Sequence, residues 1–456
     1  MRFYDYARRV VRPTGTLAVA LAAAGCTTDL LNVSTPNVLA DNAVTGVLGA
    51  TTIRNGALRS FATAFSGSQD GFLVVSGNLA DEIQTTDTFA DRYNTDARVA
   101  TENLGGALNT TYSNLQLARS GLASAIEKWR ASAKPDAAAV KDTLSEMYAL
   151  RAISETFFAE GYCSGVPFSS VADNGDFIYG DPQTTAQILT RASASADSAL
   201  SNATGTAYRS LAQIAKGRVL LNQGQFAQAA TAVAGVATSY RHQIFHSIAT
   251  TGQNNGVWQG TFVSGSRYNV GTREGTNGID YLVTPVDPRV PWVASTRTGF
   301  DGTSRNLPTQ QKYTAQSAPA TLADGIEARL IEAEALLNRT QGGSQADRDA
   351  MFAALNTLRA TGLAAAIAPL PASPTTQAEA VDMLFKERAY WLWLTGHRLG
   401  DMRRLIRQYG RAANTVFPVG AILYRPGNTY GSDVNMVIPI REKNNPKFQG
   451  CIDRNP

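Results

Sequence analysis

The sequence predicts a mainly α-helical chain: a scaffold of stacked helix pairs interrupted by one long, loop-rich stretch. Three observations carry this. Apolar residues recur every three or four positions across 136–162, 207–238, 325–362 and 378–410, the spacing that gathers them on one face of a helix. Within two of these segments a short polar turn separates two such faces, as in a helical hairpin. Periodicity then fades over 239–320, where aromatics stand among Gly, Thr, Asn and Ser; a stretch that long inside a helical chain is functional or forms its own small subdomain.

From the start, Arg2, Arg8, Arg9 and Arg12 precede a short apolar run at 14–25, TGTLAVALAAAG, and Cys26 follows at once. The run is too short to span a bilayer and has the layout of a secretory leader over residues 1–25. That leader holds four of the 41 basic and one of the 37 acidic residues, leaving 37 against 36, so most of the net charge of +4 is a targeting feature. Beyond Arg403-Arg404 there is no Lys/Arg block, and nucleic acid is not an expected partner. About 430 residues follow the leader, 44% of the whole being hydrophobic, which suits ordinary cores. No second apolar segment reaches spanning length.

Residues 30–60 begin as a tether and pass into a helix from near Thr45. A polar loop follows at 85–98, TTDTFADRYNTDAR. Its Phe89, Arg92, Tyr93 and Asn94 have the chemistry to stack on and hydrogen-bond a ligand; the alternative is a merely solvated loop. In 136–162, Leu144, Met147, Leu150, Ile153 and Phe157 form the apolar face and Gly161 suits the end. In 207–238, Leu211, Ile214 and Leu221 line one helix, residues 222–225 make the turn, and Phe226, Ala229, Ala230, Val233 and Ala237 line the second. Gly224, Phe226, Ala229 and Val233 match half of a tetratricopeptide repeat. A related pair at 325–362 sets Ile326, Leu330, Ala333 and Leu337 against Phe352, Leu355 and Leu358. Such pairs cannot bury their faces alone and stack on their neighbours, an architecture more often used for binding than for catalysis.

In the loop-rich stretch, Trp258, Phe262, Tyr268, Tyr281, Trp292 and Phe300 are read two ways: as walls for a sugar ring, or as the stretch's own core. The segment 378–410 is two helices broken at Gly396. Val381, Leu384, Arg388, Trp391 and Thr395 make the first stripe; Met402, Leu405, Ile406 and Tyr409 make the second, with Arg403, Arg404 and Arg407 opposite and Gly410 as a stop. Glu387, Arg388, Arg398, Asp401, Arg403 and Arg404 are read as a structural ion-pair network, with an acid–base dyad as the alternative. His242 and His246 are four apart, but no acidic residue lies between them and no third ligand is evident, so neither a metal nor a cofactor is expected. No nucleophile elbow, phosphate loop or dinucleotide fingerprint stands in a strand–turn–helix context, and the chain is not expected to be an enzyme.

The order of several motifs then resembles one family. Glu387-Arg388, seven residues, Gly396-His397-Arg398, two residues, Asp401 and then Arg404 are similar to the C-terminal signature of the SusD/RagB nutrient-uptake outer-membrane lipoproteins. So are Tyr162, Gly165, Val166 and Pro167 at a helix end, Asp287-Pro288-Arg289-Val290, the strand-like Lys312-Tyr313, and a Pro-Ile-Pro-like strand at 437–442 followed by Asn444-Asn445-Pro446. Trp391 and Thr395 stand where that family often has glutamates. Ala-Ala-Gly before Cys26 resembles a lipoprotein cleavage site, with Ala23 where leucine is usual; ordinary cleavage nearby is the alternative.

The resemblance implies a tetratricopeptide-like domain over 26–456, with its ligand-binding insertion at about 239–320. It implies a lipid on Cys26, exposure at the cell surface of the outer membrane, and a SusC-like TonB-dependent barrel as partner. The cargo would be an oligosaccharide or, in the RagB branch, a peptide, taken up by hinge gating. With Cys26 lipidated in an oxidising compartment, Cys163 and Cys451 are expected to pair, two free thiols being the alternative. Two rival readings stay open: a glycan-active hydrolase, which needs a carboxylate pair at a cleft, and a repeat adaptor with no small ligand.

Overall fold

Small residues set the helix spacing in the computed structural model, which describes residues 46–103, 105–132, 137–172, 176–340 and 343–455. The leader, most of the tether and Cys26 lie outside the described residues. The helices longer than two turns or nearly so are α1 (Gly46–Phe65), α2 (Phe72–Leu79), α3 (Ala90–Asp96), α4 (Ala107–Ser132), α5 (Ala138–Gly161), α6 (Thr185–Asn202), α7 (Thr206–Asn222), α8 (Phe226–Val233), α9 (Gly325–Leu337), α10 (Gln345–Thr361), α11 (Gln377–Trp391) and α12 (Arg398–Arg407), with single turns at Gly256–Trp258 and Ala413–Val416 besides. Capping boxes start α6, α10 and α11, from Thr184, Ser344 and Thr376, each pairing two otherwise free backbone donors.

α1 packs on α4 through Ala57, Ala64, Ala118 and Ala125, and α5 on α6 through Ala149, Ala152, Ala192, Ala196 and Ala199, all buried. The α7–α8 hairpin closes more tightly still. A Cβ at Gly217 would lie 2.4 Å from Val233 Cγ1, so even a methyl group there would force Val233 to shift. α9, α10 and α11 share a separate apolar cluster that includes Leu330, Leu337, Met351, Leu355, Leu358, Val381 and Leu384. The chain is thus a mainly helical, tetratricopeptide-like scaffold. Two expected facing residues move: Met351 takes the buried place assigned to Phe352, which is half-buried, and Ala237 lies beyond the end of α8 and is exposed, with Val236 buried instead.

The loop-rich stretch is tied at its root by an antiparallel ribbon, Arg241–Ile244 with Ala320–Asp324. That ribbon corrects the helical spacing considered for His242 and His246. Four residues of extended chain span about 13 Å, and His246 instead lies 3.0 Å from Ser66 Oγ. Among the described residues no group of three His, Cys, Asp or Glu is placed to hold a metal ion. Lys312 and Tyr313 do not form a strand. They follow the strand Thr309–Gln310 in a bend, because the Gln310 side-chain oxygen accepts both of their backbone N–H groups, at 2.9 and 2.8 Å. The tail strand expected at 437–442 does not form: one bridge, Met436 to Tyr162, lies just before it, and its second half is a 3-10 turn at Ile440–Asn444.

Cys163 and Cys451 form a disulfide, 5.7 Å between Cα atoms and 288 residues apart. Backbone hydrogen bonds extend the joint, from Ser164 N to Asp453 O at 2.9 Å and from Ile452 N to Ser164 O at 2.8 Å. The strongest departure from the sequence pattern is α12. Arg403 and Arg404 are each 1% exposed while Leu405 and Ile406 are only half-buried, so this helix turns its guanidiniums inward.

Candidate functional site

Thr86 and Asp87 gather three loops into one surface. The strand Ile83–Thr85 pairs with Tyr268–Val270, and Thr86 prolongs the contact: its N–H donates to Arg267 O at 2.8 Å and its hydroxyl to Ser266 O at 2.7 Å. The same residue accepts from the Asp301 and Phe300 N–H groups at 3.0 and 3.1 Å. The buried Asp87 carboxylate then receives Arg92 at 2.9 Å, the Phe89 N–H at 2.9 Å, and Arg267. Burial alone would raise this carboxyl; the hydrogen bonds from Phe89, Arg267 and Arg92 outweigh it and hold it below its usual range.

Held in this way, the Arg267 guanidinium lies 3.6 Å from the Phe300 ring centre and 4.9 Å from that of Phe89, and the two rings meet edge to face at 6.0 Å. Phe89 is 52% exposed. The result is an aromatic face fixed over a paired cation. Such a face offers flat apolar area at little entropic cost to a ring-shaped ligand, with polar groups at its rim to orient it.

The residues singled out in the sequence have different fates. Arg92 is committed, bonding Asp70 twice at 2.8 Å besides Asp87. Tyr93 is covered by the Arg425 guanidinium at 3.9 Å, and Asn94 is half-buried, its carbonyl accepting from Val99. Trp258 and Trp292 are half-buried, and Trp292 packs against the main apolar core. Tyr268 and Tyr281 are 2% and 0% exposed, so of the two readings, wall or core, both are core; Tyr281 packs on Tyr390 and Trp393. Sequence reasoning missed Asp87 and Arg267, and nothing in local spacing joins two residues 180 positions apart.

The C-terminal charges pair as an ion-pair network except Arg403, which was expected in it but reaches only Ala159 O and forms no ion pair among the described residues. Arg388 lies side-on to Asp401 at 2.8 and 2.9 Å, and Arg404 adds a third bond at 2.8 Å while also pairing with Glu334. Glu387 accepts Arg289 and Arg359, each at 2.7 Å, and Arg398 meets Asp81. Trp391 donates its indole N–H to Glu387 at 3.2 Å, and Thr395 lies 2.8 Å from His397 Nδ1. Burial pushes Asp401 up, but Arg388 and Arg404 overcome it and hold the carboxyl far below its usual range, so it keeps no proton to donate. Another carboxyl pair is linked through two phenols: Tyr424 donates to Asp96 at 2.6 Å, lies 3.4 Å from the Tyr430 hydroxyl, and Tyr430 donates to Glu274 at 3.2 Å. Both carboxyls are 1% exposed, out of reach of a substrate, which an acid–base pair must touch.

No protein-family model and no curated protein matches the sequence. Solved structures do match the fold. A SusD superfamily protein from Parabacteroides distasonis superposes with a TM-score of 0.65 at 13% identity, over 88% of this chain and 98% of that one. A SusD-like carbohydrate binding protein from Bacteroides vulgatus gives 0.60 at 15%, over 89% and 97%. A laminarin binding SusD-like protein gives 0.59 at 12%, over 90% and 99%. At these identities the likeness is one of fold, and the fold is that of the SusD superfamily.

Proposed function

We propose that this chain, with its SusD superfamily fold, is a cell-surface lipoprotein that captures an oligosaccharide and delivers it to a TonB-dependent outer-membrane barrel. The observation that carries the reading is the face made by Phe89 and Phe300 over Arg267. The C–H face of a sugar ring packs on an aromatic ring, and the ring hydroxyls stay free for the polar rim. Two of the structural neighbours carry names that say carbohydrate binding and laminarin binding, which supports a glycan over a peptide. Attachment would be through a lipid on Cys26; among the described residues no helix is long and apolar enough to cross a membrane. The chemistry is binding and gating, with no bond made or broken: the ligand is held until the protein closes over its barrel.

Glycan and peptide panels on the purified chain, with Phe89→Ala and Phe300→Ala beside the parent, test the capture surface. Glycan binding that both substitutions weaken supports the reading. Binding unaffected by either would remove the aromatic face from it, and a peptide-only response would replace the ligand class. Gentle detergent extraction with a pull-down tests the partner; a barrel recovered in stoichiometric amount is the expected result.

A further inference from the structure

On α12, one turn apart, stand two guanidiniums that no carboxylate meets in an ion pair among the described residues, although Glu160 acts on both from a distance and Asp453 on Arg403. Arg403 is 1% exposed; its Nη1 donates to Ala159 O at 2.8 Å, while its Nε and Nη2 meet no acceptor among the described residues. Arg407 donates to Asn222 O at 3.0 Å, and neither arginine forms an ion pair among the described residues. The nearest candidate, Glu160, is already taken by Arg218 and by Asn222 at 2.7 Å. Burial therefore pulls Arg403 down to about 9 and Arg407 to about 10, and each is lowered further by a neighbouring arginine. Arg403 does not line the cavity beside this helix, but Arg407 does; half-buried and without a direct ion pair among the described residues, it would gain from an arriving anion.

A cavity of about 660 Å³ opens beside Arg407, a size suited to a small molecule. Gln223, Gln225 and Thr190 supply amide and hydroxyl groups to its wall, and Leu189 and Ile452 supply apolar contact. The Gln408 amide is already given to Leu221 O and Asn222 O at 2.8 and 3.0 Å, and the Ser164 and Thr185 hydroxyls lie 3.1 Å from each other. The start of α6 faces it but is already capped, Thr184 by its capping box and the Thr185 N–H by Ser164 Oγ at 3.2 Å, so the helix end adds little. Asp453 also lines the cavity, and its negative charge disfavours a doubly charged anion. A single planar guanidinium matches a carboxylate in shape, and the surrounding amides and hydroxyls match a polyol.

We infer that this cavity is a second ligand site, for a carboxylate-bearing sugar of the hexuronate class, with Arg407 holding the carboxylate and the Gln and Thr side chains holding the hydroxyls. None of its residues belongs to the Phe89 face, so the site stands whether or not that face binds glycans.

Isothermal titration of the full chain with galacturonate, and with glucose, acetate and inorganic phosphate as comparisons, tests it. Galacturonate should bind saturably and at least about tenfold more tightly than glucose or acetate, the factor one charge-assisted hydrogen-bond pair supplies. Arg407→Gln should remove that preference. Thr190→Trp should abolish binding by filling the cavity from an exposed helix position, where folding is not at risk and circular dichroism can check it. The inference is overturned if galacturonate shows no saturable binding, if glucose or phosphate binds as well, or if both variants bind like the parent.

Discussion

Asp81 and Arg398 lie side-on to each other, with hydrogen bonds of 2.7 and 2.8 Å across 317 positions of sequence. Asp81 also accepts the Ile279 N–H at 3.1 Å, so one carboxylate fastens the chain after α2, the loop-rich stretch and α12 together. Breaking a buried pair by removing one charge leaves the other stranded, a loss of about 3–5 kcal/mol. Asp81→Asn should therefore lower the stability measured by urea unfolding by about that amount. A change below about 1 kcal/mol would mean that the joint is not structural.

The next residue sets a pH dependence. Burial raises the Glu82 carboxyl to about 8, against the Leu394 N–H that it accepts at 2.7 Å, and its Oε2 meets no donor among the described residues. The folded value lies above the unfolded one of about 4.3, so this stability is full below that value and is lost as pH rises through 8. Asp96, raised by burial to about 6, acts with the same sign. Lys312, pushed down by burial to about 8, has the opposite sign and acts above that value. The melting temperature should fall between about pH 5 and 8, and Glu82→Gln, which keeps the acceptor for Leu394, should flatten that fall without removing it. An unchanged slope in the variant would assign it elsewhere.

At the aromatic face, Phe89→Ala and Phe300→Ala should each weaken ligand binding about three- to tenfold, the scale of one aromatic contact. Asp87→Asn should weaken it too, by freeing Arg267 beneath both rings, and should also cost stability, since Arg92 and Arg267 lose their shared partner. Direct titration against the same glycan and an unfolding curve separate the two effects.

Cys163 and Cys451 should resist alkylation until reduced. Breaking the bond, which closes a loop of 288 residues, should cost about 2–5 kcal/mol. Because Ile452 and Asp453 line the cavity beside Arg407, reduction should also weaken galacturonate binding. Mass spectrometry of labelled protein and titration with and without reductant read the two outcomes.

Cys26→Ala should move the protein from the membrane to the soluble fraction, because the acyl chains that would hold it contribute about 0.8 kcal/mol per buried methylene. Tight association that persists in the variant would point to another anchor.

What the sequence determined was everything that repeats along one helix. α5, the α7–α8 hairpin and α9 with α10 stand where three- and four-residue spacing puts them. α11 ends earlier than expected, at Trp391, so Thr395 lies beyond it and the break runs from Leu392 to His397, with Leu394 and Gly396 both at positive φ, 51° and 76°. α6 escaped because past Ile188 and Leu189 it buries only Ala and Ser, which also cover its exposed face. α4, by contrast, buries Leu108, Tyr112, Leu115, Leu122 and Ile126, a stripe that its spacing does carry and that the expected helices leave out. α3 escaped because its residues read as a polar loop. Phe89 was legible as a candidate, but its place beside Phe300 was not.

Only the tertiary structure decided which charges go inside. On α12 the amphipathic pattern set the arginines opposite the apolar stripe, yet Glu334 on α9 and Asp401 draw Arg404 into the core. The same holds for Arg267 under its two rings, drawn there by an aspartate 180 positions away. Helix periodicity is local and is written in consecutive residues. The pairing of a buried charge depends on which distant segment supplies the opposite one, and no spacing along the chain records that.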